Sequence, residues 1–250
     1  MKKDVKTDTG NNTILLIGNG PSTNGLIEYG LDNIPDCVDT FGMGAAYRFY
    51  KNVNWWPTYY AWLDSVCTAS HSEQLIQIIN DKSVSVRKFW FSRPLCDSAR
   101  FIVTPHRRTG CWVFRHVLDM GYKNILLIGI ECACVDQIAE ANIVDPKRAE
   151  KYYRDAGIKP PKNVGNLLEI RETPKSNPNY FFDDYQLKGD IFSRPRIAHT
   201  QIPAWQPFEK KYVHHSSVSV VNCSPISKLK FTFCEISESF RLAELRKEKK

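Results

Sequence analysis

Two apolar runs constrain this chain more than any other feature. Residues 14–22 read ILLIGNGPS and residues 124–131 read NILLIGIE, and each carries four apolar residues in a row before a glycine. A run of that length without polar alternation suits a strand covered on both faces, as in a parallel sheet flanked by helices. After the first run, Gly18 and Gly20 let the chain turn without a side chain in the way. Pro21 tightens the approach, and Ser22 can cap a following helix. Free N–H groups there would face an anion above the strand end. A strand followed by glycines also makes any tight βα turn, so residues 18–22 carry both readings.

The pieces around these runs alternate in kind. DTFG at 39–42, YYAWL at 59–63, VRKFWFS, FIVT and the later VSVVNC read as strands by their apolar, β-branched and aromatic content. AAYRFY, HSEQLIQIIN, TGCWVFRHVLDMGY and the region around AWQPFEKKY read as helices. This alternation predicts an α/β, Rossmann-like fold, a mostly parallel sheet with helices on both faces. Residues 145–197 differ, with several prolines and clustered aromatics and acids, and read as a lid-like insertion. The expected organisation is a disordered start over 1–12, a single domain over 13–240 and a basic, solvated tail over 241–250.

With 250 residues and 42% apolar content the chain can bury its own core. It has no apolar stretch long enough to span a bilayer, and its start, MKKDVKTDTGNN, lacks the apolar centre of a signal peptide, so a cytoplasmic location is expected. The eight cysteines are scattered, which favours reduced thiols. Cys132 and Cys134 are too close, and the adjacent His214 and His215 too isolated, to make a good zinc set; no metal site is expected. The net charge of +7 suits nucleic acid, an anionic membrane or an acidic substrate. Much of it lies in the terminal LRKEKK, which could rest peripherally on anionic lipid, and no nucleic-acid signature is present.

In open parallel sheets the ligand lies outside the carboxyl ends of the strands. Residues 18–22 (Gly18, Asn19, Gly20, Pro21, Ser22), the 42–44 segment with Gly42 and Met43, Asp64, and Gly129 with Glu131 should all stand there. Asp64 could hold a ribose or sugar hydroxyl, or cap the next helix. Glu131 could bind a ribose diol, or a neighbouring loop. His106, Arg107, Arg108, Thr109 and Gly110 precede a helix and could receive a phosphate or carboxylate, or remain a solvated loop. NPNYFFDDY at 177–185 offers aromatic faces for a sugar or base, or for anchoring its own loop. His199, before a helix, could deprotonate a hydroxyl nucleophile, or be structural.

GNGPS after the first strand, TGCWVFRHVLDMGYKNILLIGIE in the middle and NCSPIS near the end, in that order, resemble the small bacterial sialyltransferases. The likeness runs from residue 14 to about 229 and is weakest across 145–197. It implies a Rossmann-like fold, a CMP-activated nonulosonic acid as donor, no metal or other cofactor, and a histidine base. Carried over, Asn19, Gly20 and Ser22 contact the nucleotide, Thr109 and Gly110 lie by its phosphate, Glu131 meets the donor, and His199 is the base. Met43 stands where the family has asparagine. The family's tyrosines for the leaving phosphate have no counterpart at Cys132, Ala133 or Cys134, which leaves Tyr180 or Tyr185 to supply that role. The same pattern resembles the archaeal 6-hydroxymethylpterin diphosphokinases and related flagellin-modifying transferases; a diphosphokinase would need magnesium on acids such as Asp64 and Glu131. The expectation is a glycosyltransferase taking a nucleotide-sugar donor and a glycan acceptor, with a diphosphokinase or a nucleotide-binding protein without turnover as alternatives.

Overall fold

The two apolar runs lie side by side at the centre of a sheet. A computed structural model describes residues 9–98, 100–104, 108–133, 140–160, 167–193, 198–213 and 217–248, without the side chains of 198–200. The strands are β1 (Thr13–Ile17), β2 (Val38–Met43), β3 (Tyr59–Trp62), β4 (Lys88–Phe91), β5 (Phe101–Val103), β6 (Asn124–Ile128), β7 (Ala141–Ile143), β8 (Leu167–Ile170), β9 (Ile191–Ser193), β10 (Ser219–Asn222) and β11 (Thr232–Phe233). The helices are α1 (Thr23–Tyr29), α2 (Tyr47–Asn52), α3 (Ser65–Ser70), α4 (Ser72–Asn80), α5 (Thr109–Asp119), α6 (Pro146–Asp155), α7 (Ala198–Tyr212) and α8 (Ile236–Glu248). Eight strands form one sheet in the order β11-β10-β6-β1-β2-β3-β4-β5, all pairings parallel. From β1 the chain winds outward one way to β5, then returns through β6 to the other side. The switch point therefore falls between β1 and β6, as in a Rossmann-like α/β fold.

Strand alternation explains why both runs are apolar throughout. Ile14, Leu16, Ile125 and Leu127 face α5 and α7 through Val113, Phe114, Val117 and Trp205. Leu15, Ile17, Leu126 and Ile128 face the opposite layer, where Leu26 of α1 and Ile236, Phe240 and Ala243 of α8 cover them. Further along that layer, Tyr47 and Tyr50 of α2 and Leu75, Ile78 and Ile79 of α4 cover β3 and β4. Helices thus lie on both faces.

The insertion has a structure of its own. β7, β8 and β9 form an antiparallel sheet that starts at Ala141, ahead of the expected boundary at 145. Asp145 caps α6 by accepting from Lys147 N (3.0 Å) and Arg148 N (3.3 Å), with Pro146 in the first turn. Arg148 then grips Glu169 of β8 with two bonds of 2.6 and 2.7 Å. Only Ala149 and Tyr153 of α6 are buried, so apolar spacing does not disclose this helix, whereas the Asp-Pro start does.

Both ends of the domain differ from expectation. Within the predicted disordered start, Thr9 Oγ1 donates to Asp39 and Asn11 Nδ2 donates to Asp39 Oδ1 and Asp36 O, both at 3.0 Å. Residues 9–12 are therefore held against β2. The predicted tail over 241–248 belongs to α8, where Ala243 is buried and Arg246 donates to Asn124 Oδ1 at 2.6 Å. The seven described cysteines are free thiols, as expected. No described helix is long and apolar enough to cross a membrane.

Candidate functional site

Ile17 pairs with Ile128, so Gly18 and Gly129 leave their strands together at the switch point. Gly18 N donates to Ile128 O (2.7 Å) and Gly20 N to Gly129 O (2.9 Å). A Cβ at Gly18 would overlap the Gly129 carbonyl; one at Gly129, where φ is +70°, would overlap Thr23 Oγ1. The contact between the two loops alone requires both glycines. The free N–H groups expected at 18–22 are not found at Gly18, Gly20 or Ser22, because the chain uses them itself.

Glu131 is the clearest correction. Ser22 N donates to Glu131 Oε1 at 2.9 Å, and Ser22 Oγ donates to the same oxygen. Ser22 Oγ also meets Ser224 Oγ at 2.6 Å, and Gly129 N donates to both hydroxyls at 3.0 and 3.1 Å. Ser22 occupies the cap position of α1, yet its side chain makes no cap bond. Glu131 is 6% exposed and lies across Gly20. The anion this loop suits is thus the protein's own carboxylate, and hydrogen bonds to a charged acceptor are the stronger kind. The turn after β10 fixes it from behind, with Ser227 Oγ donating to Ile130 O (2.8 Å) and Lys228 N to Glu131 O (2.9 Å).

At the end of β2, Gly42 is filled over by Pro57 and Tyr50, which a Cβ would meet at 2.8 and 2.9 Å, and the Met43 side chain is buried in the core. Neither presents a side chain to a ligand, contrary to expectation. The next residue does bring the site together. Over Gly44, where φ is +72°, the Asn19 amide and the Tyr185 hydroxyl meet so closely that a Cβ would overlap both. Ala45 N donates to Tyr185 Oη at 3.2 Å, and the Tyr60 hydroxyl donates to Gly44 O. Burial pushes the Tyr185 pKa well up, partly offset by that N–H, so its phenol is protonated at neutral pH. Tyr180 stacks on Tyr185 with ring centres 3.6 Å apart, and Phe181 N donates to Asn19 O at 3.1 Å. Segment 177–185 therefore both anchors the insertion and reaches the strand ends. Asn19 Oδ1 is closed to solvent and has no hydrogen-bond partner among the described residues.

Asp64 is a cap, its Oδ1 accepting from Val66 N (3.0 Å) and Cys67 N (3.1 Å). Thr109 Oγ1 accepts from Leu63 N (3.0 Å), which seats the start of α5 over β3. Arg108 is exposed at that start, and a Cβ at Gly110 would lie 3.3 Å from Trp205 of α7. α7 begins ahead of AWQPFEKKY and takes His199 into its first turn, with Pro203 and Pro207 inside the helix. Six residues of helix separate His199 from Trp205, about 9 Å. His106, Arg107, Cys134, His214 and His215 lie outside the described residues.

A buried polar cluster that sequence reasoning missed holds Tyr185 in place. Arg48 donates to Asp190 Oδ2 and Oδ1 (2.6 and 2.8 Å) and to Tyr185 O (3.0 Å). His71 Nε2 is 3.4 Å from Asp190 Oδ1, and its Nδ1 is 2.8 Å from the Tyr47 hydroxyl. The only sequence signal was one arginine within the apolar AAYRFY. Burial drives the His71 pKa down to about 4; Asp190 opposes the shift and Arg48 adds to it. Between pH 6.5 and about 4 the unfolded chain takes up a proton that the folded chain refuses, so stability falls on acidification. The expected loss by pH 5 is about 2 kcal/mol. Melting curves from pH 7 to 5 should show this slope in the wild type and a flatter one in His71→Asn. A cleft of about 230 Å³ lies by Arg48, Lys51 and Gln74, and another of about 500 Å³ lies by Lys123, Tyr212 and Arg246.

No protein-family model matches the chain, and no curated protein matches it. Among solved structures, the sialyltransferase CstII from Campylobacter jejuni, in complex with the substrate analogue cytidine-5'-monophosphate, is 14% identical over 89% of this chain and 84% of that one, with a TM-score of 0.47. The same enzyme with CMP-3FNeuAc is 14% identical over 88% and 84%, at 0.45. A sialyltransferase CST-II complex with trisaccharide acceptor and CMP is 14% identical over 87% and 83%, at 0.44. The strand order by itself defines the Rossmann-like fold.

Proposed function

We propose that the chain is a glycosyltransferase that moves an acidic sugar, sialic acid or a relative, from a CMP-activated donor to a glycan hydroxyl. The observation that carries this reading is the partnerless Asn19 Oδ1 beside a protonated Tyr185 hydroxyl at the strand ends. A buried acceptor without a donor is costly, and a donor group of a bound nucleotide would satisfy it. The order of the GNGPS, TGCWVF and NCSPIS segments supports the same conclusion.

In this reading His199 takes the proton of the acceptor hydroxyl, whose oxygen attacks the anomeric carbon as the bond to the CMP phosphate breaks. Tyr185, backed by Tyr180, donates a hydrogen bond to the departing phosphate oxygen. Arg108 and Thr109, at the start of α5, flank that charge, and Glu131 keeps the glycine loop in place without meeting the ribose. The diphosphokinase alternative gains no support from its two acids, since Asp64 and Glu131 are already bonded to backbone N–H groups.

Because protein groups carry the leaving-group work, transfer from a CMP-sugar should survive EDTA. In a thermal-shift series of CMP, UMP, GDP, ATP and pterin, with and without magnesium, CMP alone should raise the melting temperature. At 100 times its Kd the gain is about 2.7 kcal/mol. Stabilisation only by pterin or ATP with magnesium would overturn the reading.

A further inference from the structure

We propose that Ser92 and Arg93, at the carboxyl end of β4, form an anion-binding subsite for a carboxylate or phosphate of a substrate lying along the strand ends. The inference needs only an anionic ligand and stands apart from the nucleotide assignment.

β4 ends in three buried aromatic residues, Phe89, Trp90 and Phe91, and the chain then turns polar at Ser92 and Arg93. Phe91 pairs with Trp62, so continuing the register sets Ser92 and Arg93 beside Leu63 and Asp64, at the same end of the sheet as Asn19, Gly44 and Thr109. Two of their polar atoms are anomalous. Ser92 Oγ and Arg93 Nε, on half-buried side chains, are closed to solvent and have no hydrogen-bond partner among the described residues. Buried donors of this kind are rare in folded proteins and mark a missing partner.

The missing partner is an acceptor, and a charged one. Among the described residues no carboxylate pairs with Arg93, and the nearby Asp64 spends its Oδ1 on capping α3. The charge of Arg93 also acts on Tyr152 of α6, whose hydroxyl donates to Val66 O at 2.8 Å. A guanidinium fork presents parallel N–H groups that match a planar carboxylate or a phosphate, with an adjacent hydroxyl as a third donor. Strands lie about 4.8 Å apart, so two spacings put Phe91, level with Gly44 in the register, roughly 10 Å from it, and Arg93 stands two residues beyond. That is a reach suited to the far end of a sugar-bearing ligand.

The test uses the full chain, Arg93→Gln and Ser92→Ala, in chloride buffer, with inorganic phosphate, N-acetylneuraminic acid and its methyl ester as probes, followed by calorimetry and melting. The wild type should bind at least one of the two anions. Arg93→Gln should weaken that binding at least tenfold and Ser92→Ala severalfold, while the ligand-free melting temperature of Arg93→Gln stays level or rises as the partnerless group is removed. Loss of affinity for the methyl ester assigns a carboxylate, and binding of phosphate alone assigns a phosphate. Equal affinity in the wild type and Arg93→Gln, no binding of either anion by the wild type, or a drop of several degrees in ligand-free Arg93→Gln would each overturn the subsite. CMP titrated into all three proteins keeps the two readings distinguishable: its binding should be the same in each, and its failure would count against the nucleotide assignment only.

Discussion

His199→Ala is expected to cut sugar transfer by about 10²–10⁴-fold while leaving CMP affinity nearly unchanged. An acceptor hydroxyl is a poor nucleophile until its proton is drawn off, and a positioned imidazole titrates in the range where this is done at neutral pH. The loss should appear in kcat more than in donor KM, since a base acts on the acceptor and contributes little to holding the nucleotide. His199 lies in the first turn of α7, six residues ahead of Trp205, which packs against the start of α5. A structural histidine would behave otherwise, lowering the melting temperature while the folded fraction kept its activity. Activity and melting should be measured on one preparation. Full specific activity in folded His199→Ala would remove it as the base and direct attention to His106.

Gly129→Ala should be among the most damaging single methyls in the described residues, costing about 2–6 kcal/mol. Two independent penalties add. The residue sits at φ +70°, which an L side chain rarely adopts, and its Cβ would overlap Thr23 Oγ1 and crowd the Gly18 backbone. Gly18→Ala faces a similar obstacle, the Gly129 carbonyl, which cannot move without shifting a central strand. Gly20→Ala should be milder, because what stands in its way is the end of the Glu131 side chain. With melting shifts of about 2–4 °C per kcal/mol for a chain of this size, Gly129→Ala should melt at least about 4 °C below wild type. A shift under 2 °C would show that the loops can part.

The central strands were legible because burial on both faces demands uninterrupted apolar residues, and few other environments do. The insertion was not. α6 buries only Ala149 and Tyr153, and β9 is three residues long, so neither carries a period that spacing rules detect. The start of α7 was hidden by Pro203, Pro207 and the polar residues between them and Ala198. For the site, the sheet rule located the region, but the partner of each polar group was out of view. Ser22 and Glu131 are 109 positions apart, Arg48 and Asp190 are 142 apart, and nothing local tells a carboxylate that meets a ligand from one claimed by a distant loop. Asp64 is different in kind, since a helix cap is a local event that the neighbouring residues disclose.

The brace of Ser22, Ser224 and Glu131 also has a thermodynamic consequence. A loop that waits for its ligand is usually ordered by it, and the entropy of that ordering is subtracted from affinity. Here the protein's own carboxylate and two hydroxyls set the geometry of the turn before any ligand arrives. A ligand docking beside Asn19 then meets a surface already in its bound shape, and the cost of rigidity has been met during folding.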